Sequence, residues 1–173
     1  MTFKKIVLTT TLFASTAGMS LSASASPSAE VTLQGVITST TCDVTINGGK
    51  SILNVGVFKP ADFVANKMLG AVKMPVTLTN CKADETGDLI IQGLTSVANN
   101  DQNIFVSNDA EKVGFMIAQD DGKTIVKNGQ RIGLDAKEDG VTEYVFTVGM
   151  ASAAANPEPN AYSAPILISY IVN

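Results

Sequence analysis

The sequence predicts an all-β sandwich. Three observations carry this reading. Apolar residues recur at period two along much of the chain, and clusters of Gly, Asn, Asp and Pro interrupt those runs. No stretch combines a helical period with capping residues.

The elements follow in order. Residues 30–38 set Val31 and Leu33 on one face, with Glu30, Thr32 and Gln34 on the other. Cys42-Asp-Val-Thr-Ile46 repeats the alternation and stops at Asn47-Gly48-Gly49, a turn signal. Residues 52–58 resume it as far as Pro60, and residues 61–68 have room for one helical turn. Val72, Met74, Val76 and Leu78 alternate ahead of Cys81, and Pro75 within that run predicts an edge or a bulge. Residues 84–88 read as a polar turn, residues 89–94 as a short strand and residues 99–103 as a loop. Residues 113–119 lead into Asp120-Asp121-Gly122, a hairpin turn, and residues 124–126 return from it. Lys127-Asn128-Gly129 turns again. Residues 141–150 make the best long strand, with Thr142 or Glu143 facing outward. Residues 156–160 break it, and residues 164–172 form the last strand. Seven or eight short strands joined by turns fit a sandwich of immunoglobulin-like size.

Composition narrows the function. Hydrophobic residues make up 45% of the chain and charged residues 16%. The charged share lies below the roughly 25% usual in globular domains, so a packed core is expected. The formal net charge is −4 and the lysines are scattered, without the basic stripe of a nucleic-acid binder. Histidine is absent, which removes the commonest general base and a common metal ligand. Acidic pairs such as Asp120/Asp121 and Glu138/Asp139 sit beside glycine, where Asp is favoured for backbone reasons. No catalytic residue, metal site or cofactor is expected.

The N-terminus reads as a secretory leader, residues 1–25. Lys4 and Lys5 form a positive start, and residues 6–14 are mostly apolar but well short of the ~20 residues a membrane span needs. Ala23-Ser24-Ala25 fits the small-x-small cleavage rule, and cleavage after Ala17 is the alternative. The exported part, residues 26–173, reads as one domain. Its two cysteines, Cys42 and Cys81, are expected to pair in an oxidising compartment.

The two ends carry most information. Residues 165–173 are strongly apolar and uncharged, and no further strand of the chain is expected to cover them. Such a strand leaves apolar surface and main-chain groups open unless another strand joins it. Residues 26–34 are short and alternate at Ala29, Val31 and Leu33. A peptide of this kind can add to the sheet edge of another molecule. An ordinary first and last strand of a closed sheet is the competing reading.

The succession of a leader, Val31-Thr-Leu-Gln-Gly35, Thr41-Cys42-Asp-Val44, Val76-Thr-Leu-Thr-Asn-Cys81, Val113-Gly-Phe-Met-Ile117 and Tyr162-Ser-Ala-Pro-Ile-Leu-Ile-Ser-Tyr170 resembles the fimbrial major-subunit family of Gram-negative chaperone–usher pili. The resemblance spans essentially the whole chain. It implies an incomplete immunoglobulin-like sandwich lacking its last strand, with an N-terminal donor-strand extension (residues 26–34) ahead of the body (35–173). It implies a structural subunit that polymerises head to tail by donor-strand exchange and supports adhesion. The donor side chains would be Ala29, Val31 and Leu33. The groove would be bordered by the C-terminal strand through Ile166, Ile168, Tyr170 and Val172, and on its other side by residues 36–38. The implied partners are a periplasmic chaperone, an outer-membrane usher and neighbouring subunits, with a host glycan as a further candidate and no nucleic acid. The implied location is the cell surface, reached through the periplasm. A minor subunit, or a shaft subunit that is itself a glycan-binding adhesin, is the alternative. In this family a tyrosine usually stands one residue before the end; here Ile171, Val172 and Asn173 follow Tyr170.

Overall fold

The computed structural model describes residues 35–173. The leader, the expected cleavage sites and the donor segment with Ala29, Val31 and Leu33 lie outside the described residues. Seven strands are present among those described: β1 (Asp43–Ile46), β2 (Met68–Thr79), β3 (Glu85–Gly93), β4 (Val113–Ala118), β5 (Arg131–Ala136), β6 (Thr142–Ser152) and β7 (Ile166–Val172). They form two antiparallel sheets, in the orders β1-β2-β6-β4 and β5-β3-β7. The fold is an all-β, immunoglobulin-like sandwich, as the period-two pattern predicts.

Alternation explains the packing. In β2, Met74, Val76 and Leu78 are buried while Pro75, Thr77 and Thr79 are half-exposed. They meet Phe146 and Val148 of β6, Leu89 and Ile91 of β3, and Ile168 and Tyr170 of β7 in one shared core. In β6 the exposed residue is Glu143, which settles the outward register. Pro75 pairs with Val145 of β6 just past the point where β1 ends, at Ile46 opposite Val76. Its missing N–H therefore sits at a local edge. The bulge in β2 lies elsewhere, between Leu69 and Val72, where Gly70 takes φ +81°.

Cys42 and Cys81 are bonded, tying the approach to β1 to the end of β2. One side of the sandwich is sewn shut. Phe105 exchanges main-chain bonds with Phe115 of β4, Val106 N–H donates to Leu94 O, and Gly129 N–H donates to Ile91 O. The Phe105 and Val106 bonds bridge β4 to the end of β3, and the Gly129 bond ties the turn at 127–130 to β3. Tyr162 closes the turn before β7 by donating its hydroxyl to Glu158 O at 2.8 Å.

Several local expectations are corrected. Residues 84–88 are not a turn; β3 begins at Glu85, whose charge is buried against two threonines. β5 was not expected, because Gly133 and the charged Arg131 and Asp135 hide its inward residues Ile132 and Ala136. Residues 124–126 return from the hairpin through a single bridge, Ala118 to Ile125. The helical turn expected over 61–68 is a 3-10 turn at Pro60–Asp62. Residues 35–38 form no strand, and Ile37 stands fully in solvent. Residues 52–58 form no strand: Leu53 and Val55 turn inward in alternation, but Val57 is exposed and Phe58 turns inward, and the segment has no ladder partner among the described residues.

Candidate functional site

The unpaired segment 52–58 has a consequence for the sandwich. β7 ends its sheet and pairs only with β3 among the described residues. Between β7 and residues 52–58 lies a cavity of about 1270 Å³. Ile166 and Ile168 line it from β7, Leu53, Val55 and Phe58 line it from the segment 52–58, and residues 157–165 also contribute. Met74, Phe105, Phe115 and Ile117 contribute to its floor. Lys50 and Glu158 are the only charged residues among those lining it. Such a surface selects an apolar occupant, since a buried charge there would find no partner.

The expected wall residues divide into two pairs. The alternation of β7 turns Ile166, Ile168, Tyr170 and Val172 to the same face, with Leu167 outward and 57% exposed. Ile166 and Ile168 face the cavity. Tyr170 is instead sealed in the core, and Val172 packs against that core outside the cavity lining. Residues 36–38, expected on the groove's other side, do not line this cavity, and residues 52–58 do. Nothing in the sequence alone marked 52–58 as lining a cavity; only its alternation was legible.

The lower end of β7 is fixed by polar contacts. The Tyr170 hydroxyl donates to Glu85 O at 3.2 Å. Burial, and next the nearby Glu85 charge, push that hydroxyl above the ordinary tyrosine range, so it stays a neutral donor. The Glu85 carboxylate accepts from the hydroxyls of Thr40 and Thr41, both at 2.6 Å, and from the Thr41 N–H at 2.7 Å. Burial opposes its charge, but these three donors outweigh burial and hold the carboxyl below the ordinary glutamate range.

The acidic pairs serve their turns. Asp121 accepts from the Thr124 hydroxyl and from the N–H groups of Lys123 and Thr124, which holds its carboxyl low. Asp84 accepts from the Glu138 N–H at 2.8 Å and faces Lys137 at 3.4 Å. Among the described residues, no group of three His, Cys, Asp or Glu side chains is placed to hold a metal ion. No described helix is long and apolar enough to cross a membrane.

Comparison with solved structures places the fold. The chain is similar to a subunit in a chaperone–usher pilus structure that addresses rod uncoiling. That match has TM-score 0.59 and 16% identity, and covers 84% of this chain and 96% of that one. It is similar to the P pilus rod subunit PapA with TM-score 0.59 and 18% identity, over 76% of this chain and 99% of that one. At such identities the shared property is the fold. No protein-family model and no curated protein sequence matches the chain.

Proposed function

We propose that this chain is the structural subunit of a chaperone–usher fimbria and that it polymerises by donor-strand exchange. The observation that carries this reading is the apolar cavity lined by β7 and by the segment 52–58, which has no ladder partner among the described residues. An inserted strand would there find two edges and an apolar floor. The fold shared with pilus rod subunits supports the same reading.

Residues 26–34 of a neighbouring copy are the proposed occupant. Their alternation sends Ala29, Val31 and Leu33 to one side, which suits the floor of the cavity. Burying Val31 and Leu33 would contribute about 1.5–3 kcal/mol each. Main-chain bonds to β7 would fix direction. Because donor and acceptor lie on different parts of the chain, the contact is head to tail and does not close, which yields a filament. Before assembly a periplasmic chaperone would fill the cavity with a strand of its own. An outer-membrane usher would exchange that strand for the neighbour's segment and pass the fibre to the cell surface. The role is structural, and adhesion would be a property of the assembled fibre.

The test is electron microscopy of cells expressing the surrounding gene cluster with this gene intact, deleted, or lacking codons 26–34. Fibres are expected only with the intact gene. Normal fibres from the 26–34 deletion would refute the donor assignment, and fibres unchanged without the gene would refute the subunit role.

A further inference from the structure

The wall formed by residues 52–58 holds its place without a ladder, and two anchors account for it. At one end the Asn47 side-chain amide donates to Lys50 O at 3.1 Å and to Ile52 O at 3.0 Å. The Lys50 N–H returns a bond to Asn47 O at 3.2 Å. This geometry needs left-handed backbone: Asn47 has φ 53°, followed by Gly48 at 59° and Gly49 at 78°. Asparagine is one of the few side chains that tolerate that region. At the other end the Phe58 ring lies on Gly70. A Cβ at Gly70 would stand 2.6 Å from the ring, and Phe63 meets Phe58 edge-on at 6.4 Å. The bulge of β2 thus makes a socket for Phe58. Between the anchors, Leu53 and Val55 rest on the core.

We propose that Asn47 is the positioning residue that presets this wall for strand insertion, with Phe58 in its Gly70 socket as the second anchor. The proposal rests on the strand-acceptor reading above. An inserted strand needs two edges held about two strand spacings, roughly 9.5 Å, apart. A loose wall would have to be ordered at the moment of binding, and that ordering weakens association. Asn47 suits the task because its amide can donate twice to carbonyl oxygens. Aspartate has the same size and backbone tolerance but can only accept.

The test compares the full exported chain with its Asn47→Asp and Asn47→Gly variants. Glycine keeps the left-handed turn and removes the amide, so it guards against misfolding of the aspartate variant. The probe is a synthetic peptide of residues 26–34. Spin labels at Val57 and Leu167, both exposed, report the width of the cavity without peptide. The wild type is expected to bind the peptide and show a narrow distance distribution. Both variants should bind roughly tenfold more weakly and show a broadened distribution at unchanged melting temperature. Wild-type binding with equal affinity in both variants would overturn the anchor and leave the acceptor reading intact. If the wild type binds no peptide, the acceptor reading falls. The labels then decide the anchor alone, and an unchanged distribution in both variants overturns it.

Discussion

Tyr170 donates its hydroxyl to the main-chain carbonyl of Glu85 at 3.2 Å, so the strand that borders the cavity is pinned to the first residue of its neighbour. The same glutamate gathers Thr40 and Thr41 through its carboxylate. One residue therefore connects β7, β3 and the segment that leads to the disulfide.

Glu85 should make stability depend on pH. Its carboxyl sits below the ordinary range when folded, so folding favours the ionised form. The sign follows: the contribution is complete above the ordinary glutamate pKa and disappears as pH falls through the lowered folded value. Melting temperature measured across the acid range should fall for the wild type. Glu85→Gln should start lower at neutral pH and lose less on acidification. Parallel curves would remove Glu85 as the cause.

Gly87 should be intolerant of even one added carbon. A Cβ there would stand 2.5 Å from Ile171 O and 2.7 Å from the Tyr170 ring. Gly87→Ala is expected to destabilise by about 1–3 kcal/mol through overpacking at the β3–β7 ladder. Denaturant unfolding gives the value. Alanine at Gly129, where nothing stands within 4 Å, meets no such neighbour and isolates the cost of its positive φ of 74°.

Much of this was legible in the sequence, and the misses have physical reasons. The alternation of Met74, Val76 and Leu78 gave β2, and the apolar run at 164–172 gave the last strand, β7. Glu85 misled because a charged residue reads as solvent-facing unless its partners are known, and Thr40 and Thr41 lie more than 40 residues away. β5 was missed because only Ile132 and Ala136 of its six residues are buried. Residues 52–58 read as a strand but form none, because pairing is not a local property. Only the topology shows that they have no ladder partner among the described residues, and the cavity lining includes them and not residues 36–38.

The Cys42–Cys81 bond closes a loop with a sequence separation of 39. Replacing both cysteines by serine should cost about 2–4 kcal/mol, chiefly by freeing the unfolded chain. Both sulfurs sit in the core, so some of the loss will come from packing. Reductant should lower the wild-type melting temperature to that of the double variant. A reductant effect that persists in the double variant would point to another cause.

The alternation of β7 allows the cavity to be tested by two neighbouring positions. Ile166 faces the cavity and Leu167 faces solvent on the opposite side of the same strand. Ile166→Glu puts a carboxylate where an apolar strand would have to cover it. Without a strand that charge still reaches water through the open cavity, so the folded body should survive. With a strand in place it would be buried unpaired, which costs several kcal/mol and should weaken binding of the 26–34 peptide about a hundredfold or more. Leu167→Glu adds the same charge one residue on and should bind the peptide as the wild type does. Titration of the labelled peptide against both variants reads the difference. Equal affinities would mean that the strand does not lie over Ile166, and the cavity would lose its assignment as the acceptor.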